Sequence, residues 1–223
     1  MSFLDKLRGY ESELYLPSIS LLPQDCLSIG YFLASIAISY KGRFSVYLSN
    51  CSLRDTGIKI LMQSLCRSLD PHGEIPGHLH MDIRNNGITG VGASYIAEAL
   101  RTTRALRKLD LDRNLIDDQG LLYIVEALTT NTTLTELRLS LCGLRITEEN
   151  GPALTKMLQR NKALRLLDLS WNGTIPDHET SFIIEGLRKN TTLKVLYLGF
   201  CGVTNEGFCL IQHSTSTCKI HNN

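Results

Sequence analysis

The sequence predicts an α/β solenoid, with a parallel sheet lining the inside of a curved stack and helices covering the outside. Two observations carry this. A phrase of the form Leu-x-x-Leu-x-Leu-x-x-Asn/Cys-x-Leu recurs along the 223 residues. After each copy comes a stretch whose apolar residues fall on one helical face. Self-similarity at a fixed period marks stacked units that cannot bury an apolar face alone.

The cleanest copies start at Leu106 (LRKLDLDRNLI), Leu134 (LTELRLSLCGL), Leu164 (LRLLDLSWNGTI) and Leu193 (LKVLYLGFCGV). Looser copies start at Arg43 (RFSVYLSNCSL) and His78 (HLHMDIRNNGI). The Asn/Cys position falls at Cys51, Asn86, Asn114, Cys142, Asn172 and Cys201, in steps of 35, 28, 28, 30 and 29. The long first step is one unit plus an insertion of seven residues over 70–76. A unit of this length leaves room for a strand and a full helix.

Within each phrase the leucines should point into the solenoid and the intervening residues out, because side chains alternate across a strand. The Asn/Cys slot turns the chain away. Asn satisfies backbone groups there, and Cys fills the same space as a weak donor. Cys142 and Cys201 lie two strands apart, about 9.6 Å, beyond the roughly 7 Å a disulfide spans. The helical half is clearest after Gly120, where Leu121, Ile124, Val125 and Leu128 share one face. Residues 93–100, 153–158 and 182–187 repeat it. Asn131, Asn161 and Asn190 each follow the last helical Leu by three residues, where a left-handed stop suits Asn; Thr103 departs from this.

The domain reading follows. Residues 1–42 form an N-terminal half-repeat or cap, with a short strand at 14–16 and a helix capped by Asp25. Residues 43–213 form the solenoid of about six repeats, and residues 214–223 a polar tail. With an atypical C-terminal end, the chain is expected to be part of a longer repeat protein, and its uncapped ends offer a route to self-association.

The units of 28 or 29 residues and the Asn/Cys ladder resemble ribonuclease inhibitor and the C-terminal repeats of NOD-like receptors. The wording from Glu126 to Leu134 is most similar to the receptor group. The resemblance covers roughly residues 43–210. It implies a leucine-rich-repeat horseshoe that binds another protein, as the sensing or autoregulatory arm of an innate immune receptor. Two alternatives stay open: a ribonuclease-inhibitor-like binder of a basic enzyme, and a regulator similar to the GTPase-activating solenoids. Against the first stand the near-neutral balance and the arginines of the inner face. Against the second stands the lack of an acidic tail. No GxxxxGK[ST] loop is present, so a nucleotide-driven engine is not expected in this chain.

Composition narrows the classes further. The chain is 43% hydrophobic and 20% charged, with a formal net charge of +1. No concentrated basic face for nucleic acid or an anionic membrane is expected. The apolar run from Cys26 to Tyr40 is shorter than the about 20 residues a membrane span needs. Seven cysteines in no CxxC pair, without a signal peptide, predict reduced thiols in the cytoplasm. The sequons at Asn131, Asn172 and Asn190 would matter only after secretion. No nucleophile–base or paired-carboxylate set lies outside the repeat pattern, so neither catalysis nor a cofactor is expected. His72, Glu74, His78 and His80 are the one run with metal-ligand chemistry, and a solvated insertion loop accounts for them better.

The candidate binding residues are the outward positions of the strands. The slot between the two strand leucines gives Tyr47, Asp82, Asp110, Arg138, Asp168 and Tyr197. The next outward slot contributes Arg84 and Asp112, and the position after it Arg113, Leu141, Trp171 and Phe200. Opposite charges at strand spacing predict a lateral ion-pair ladder. Exposed aromatics gathered on a rigid sheet are typical anchors for a protein partner. Local packing of Trp171 and Phe200 over the turn, or contact with a further repeat, is the competing reading.

Overall fold

The computed structural model describes residues 12–39, 42–67 and 79–222. Strands and helices alternate in the order β1 (Glu13–Tyr15), α1 (Pro23–Ser39), β2 (Phe44–Tyr47), α2 (Arg54–Arg67), β3 (Leu79–Asp82), α3 (Gly90–Thr102), β4 (Leu106–Asp110) and α4 (Asp117–Leu128). The second half continues with β5 (Glu136–Arg138), α5 (Gly151–Arg160), β6 (Leu166–Asp168), α6 (Asp177–Lys189), β7 (Val195–Tyr197), α7 (Asn205–His213) and β8 (Lys219–His221). The strands form one sheet in chain order, every neighbouring pair parallel. The α/β leucine-rich-repeat horseshoe expected from the sequence is the fold observed.

The core lies between sheet and helices. The inward pairs Val46/Leu48, Met81/Ile83, Leu109/Leu111, Leu137/Leu139, Leu167/Leu169 and Leu196/Leu198 are each at most 4% exposed. Leu121, Ile124, Val125 and Leu128 meet them from α4. Helices approach closely where a side chain is missing. A Cβ on Gly120 would stand 3.1 Å from the backbone of Gly90 and 2.7 Å from the Ile116 side chain.

Two Asn rows stitch the repeats together. The Asn86 side-chain oxygen accepts from the backbone N–H of Cys51 and Leu53, one repeat back, while its amide nitrogen donates to the Leu48 and Ile83 carbonyls. Asn114 and Asn172 repeat this pattern. Where Cys stands instead, only donation survives: Cys51, Cys142 and Cys201 give their S–H to the Leu16, Leu111 and Leu169 carbonyls. In the second row Asn131, Asn161 and Asn190 donate to Leu100, Leu128 and Leu158, the ends of the preceding helices. Each also accepts from the N–H groups that open the next strand.

Three local expectations are corrected. The Asn stops are not left-handed; Asn161 and Asn190 are extended, with φ of −66° and −84°. Their side chains already satisfy the neighbouring backbone, so no αL turn is needed. Asp25 does not cap α1 from outside. It is the third helical residue and accepts from the Leu22 N–H, behind a helix that opens with Pro23. The segment from Ser214 is more than a polar tail, because it carries β8 against β7. Only Ile220 of that strand is buried, and one apolar residue makes no visible period. At the other end β1 pairs with β2.

A candidate docking face

The helix-free face of the sheet is built by strand register. Tyr47, Asp82, Asp110, Arg138, Asp168 and Tyr197 are lateral partners in one row. The register extends that row in both directions, to Tyr15 on β1 and His221 on β8. Tyr15 and Tyr47 lie 5.6 Å apart between ring centroids, and Tyr197 and His221 stack at 4.8 Å. The row is therefore aromatic at both ends and charged in the middle. Sequence reasoning missed the two end residues because neither flanking segment carries the full repeat phrase. It also missed the row beneath, where Lys108 meets Glu136 at 2.6 Å; counting back two residues from each strand's outward slot would have found it.

The Asp residues have a second task. Asp82, Asp110 and Asp168 each accept from the backbone N–H two residues on, at Arg84, Asp112 and Ser170. In β5 the equivalent position is Arg138, which cannot accept. Asp112 reaches across from the neighbouring repeat and takes the Ser140 N–H at 2.7 Å. These carboxylates close the strand ends as well as charging the face.

The ion pairs run both along and across strands. Arg84 binds Asp82 through two bonds of 2.9 and 2.7 Å and reaches Asp110 at 3.5 Å. Arg138 reaches Asp168 at 3.3 Å. The hydrogen bond to Asp82 raises the Arg84 guanidinium above its ordinary value. Asp110 and Asp112 are under-compensated. Burial first, then the neighbouring Asp112 charge, pushes the Asp110 carboxyl up to about 6. Burial also raises Asp112. Above Asp110 lies an open depression of about 230 Å³, lined among others by Tyr47, His80, Lys108, Glu136 and Arg138.

The outermost row is held in an unusual backbone state. Asn50, Asn85, Arg113, Leu141, Trp171 and Phe200 all have φ between 52° and 59°. This left-handed region suits Gly and Asn and costs other residues about 1–2 kcal/mol each. The turn after every strand requires it. The Trp171 and Leu141 N–H groups meanwhile keep the ladder going to the Gly199 and Ser170 carbonyls. Leu141, Trp171 and Phe200 project into solvent at 42%, 51% and 58% exposure. Trp171 and Phe200 stack on each other with centroids 3.7 Å apart. They do not fold back into the core, and each packs on the other across neighbouring repeats.

Other candidate chemistry is absorbed by structure or lies elsewhere. Asn131 and Asn190 are buried with their amides engaged, and the Asn172 amide donates to the Leu139 and Leu169 carbonyls. The sequons are thus by-products of the repeat. All seven cysteines are unpaired, and burial pushes the Cys142 thiol up to about 12. His72, Glu74 and His78 lie outside the described residues. Among the described residues no helix is long and apolar enough to cross a membrane, and no cluster of three or more His, Cys, Asp or Glu could hold a metal.

With this geometry in place, comparison with known proteins agrees on its class. Residues 79–97, 104–125, 130–145 and 189–208 match the family model described as Leucine Rich repeat. Those segments are similar to leucine-rich repeats, and the horseshoe observed is the fold of that class. It is 30% identical over 179 residues to the ribonuclease inhibitor of Sus scrofa, an alignment covering 78% of this chain and 37% of that protein. The repeats are therefore ribonuclease-inhibitor-like, although the chain spans well under half of that relative's length. Solved structures agree on the fold. The leiomodin-1 actin-binding site 2 superposes with a TM-score of 0.54 at 19% identity, covering 76% of this chain and 90% of that one. A chain of the yeast Rad7 and Elc1 complex gives 0.54 at 16% identity, covering 95% of this chain and 54% of that one.

Proposed function

We propose that this chain docks a protein partner on the C-terminal half of its inner face, in the manner of the sensing or autoregulatory arm of a NOD-like immune receptor in the cytoplasm. Trp171 and Phe200 are the anchors, and the Asp/Arg rows set the register. The observation that carries this is the solvent-exposed Trp171–Phe200 stack. A rigid, preorganised aromatic ledge loses little entropy when a partner covers it.

The test is side-by-side capture of partners from cell extract by the wild-type chain and by Trp171→Ala, with unfolding curves for both. A partner retained by the wild type and lost by an equally stable variant supports the reading. Equal retention overturns it.

The likeness to ribonuclease inhibitor supports a second reading, a grip on a basic enzyme. Titrating the chain into a basic ribonuclease assay decides it: stoichiometric inhibition favours this reading, and unchanged activity dismisses it.

A further inference from the structure

The inner face carries more negative charge than it neutralises. Asp82 is closed by Arg84, Glu136 by Lys108 and Asp168 by Arg138. That leaves Asp110 with one longer contact to Arg84, and Asp112 with no ion pair among the described residues. Both belong to β4 or the residues just after it, and the Asp110 side chain borders the open depression. Between these carboxylates and the aromatic ledge the second outward row is Ser140, Ser170 and Gly199. Small residues there separate the row of Arg138, Asp168 and Tyr197 from the row of Leu141, Trp171 and Phe200.

The ledge lies two to three strand spacings across the sheet from the pair and one to three residues further along the strands, roughly 10–18 Å in all. An extended peptide covers that span in about three to five residues. Charge complementarity selects the occupant. A segment that laid only an apolar side chain on the ledge would leave the carboxylate pair uncompensated under the partner, and a desolvated unpaired charge is costly.

We propose that the face binds an extended segment at two points: an aromatic or large aliphatic side chain lies on the Trp171–Phe200 ledge, and a lysine or arginine head group meets Asp110 and Asp112. This rests on the docking role of the ledge and adds the chemistry of what docks.

Trp171 is the single tryptophan of the chain, so its emission reports directly. The probes are acetyl-Phe-Ser-Ser-Ser-Lys-amide, the same residues in reverse order, and versions of both with Glu in place of Lys, titrated to millimolar concentration. In one chain direction the Lys probe should shift Trp171 emission saturably, at least tenfold more tightly than its Glu counterpart. Asp110→Asn with Asp112→Asn should remove that advantage, because the retained amide oxygens keep the backbone bonds while the charge is gone. If the double variant does not fold, Asp110→Asn alone should cut the advantage at least threefold. Equal binding of Lys and Glu probes overturns the two-point inference while the ledge stands. No saturable change with any probe also overturns it, and the ledge is then judged by the Trp171→Ala capture alone.

Discussion

Asp112 of one repeat accepts the backbone N–H of Ser140 in the next at 2.7 Å, doing for β5 what its own outward residue, Arg138, cannot do. In the repeats before and after, an Asp performs this task within its own strand. The exchange shows how a charge reversal on the inner face is tolerated: the strand end stays satisfied from next door. It also means that acidic residues on this face serve fold and surface together.

That dual role gives a pH prediction. The Asp110 carboxyl titrates at about 6 in the fold, against about 3.9 in an unfolded chain. A raised folded value means this group favours the native state when protonated. Its contribution is present in full below the unfolded value and is lost as pH rises through about 6. Acidification from pH 7 to 5 should therefore stabilise the wild type through this group. Asp110→Asn should flatten that dependence and raise stability at pH 7 by roughly 1–3 kcal/mol. Urea unfolding at several pH values measures both.

Trp171→Ala should change stability by less than about 1 kcal/mol, since the ring is half exposed and the backbone strain remains. Leu169→Ala, two residues earlier and buried, should cost about 2–5 kcal/mol. A large loss for Trp171→Ala in the same denaturation series would make the ledge structural rather than a binding feature.

Asn114→Ala should be among the costliest single changes. It strands the N–H groups of Asn86 and Ile88 and the carbonyls of Ile83 and Leu111, for about 2–4 kcal/mol. Asn114→Cys should recover part of this, because a thiol keeps donation to a carbonyl but offers little to the two N–H groups. Thermal melts of the two variants check the order.

The cysteines should separate by position when a thiol reagent is added at pH 8. Cys209 is exposed and should label first. Cys51, Cys142 and Cys201 are buried with raised thiol values and should label only on unfolding, since the thiolate is the reactive form. Mass spectrometry of timed samples reads this out.

The repeat spacing alone determined the parallel sheet, the outer helices and the inward leucines, because each unit repeats the same local requirements. It also placed Asp82, Asp110, Arg138 and Asp168 in one row, since strand alternation and a fixed period leave no freedom there. Tertiary structure decided the rest. The left-handed state at Leu141, Trp171 and Phe200 follows from the turn that every strand must make, and nothing in those side chains announces it. The inclusion of β8 depends on the open edge of β7, which pairs a segment holding one buried residue. Whether Trp171 faced solvent or core was likewise invisible to periodicity. The answer lay in a neighbour 29 residues away, Phe200, stacked against it on the adjacent repeat.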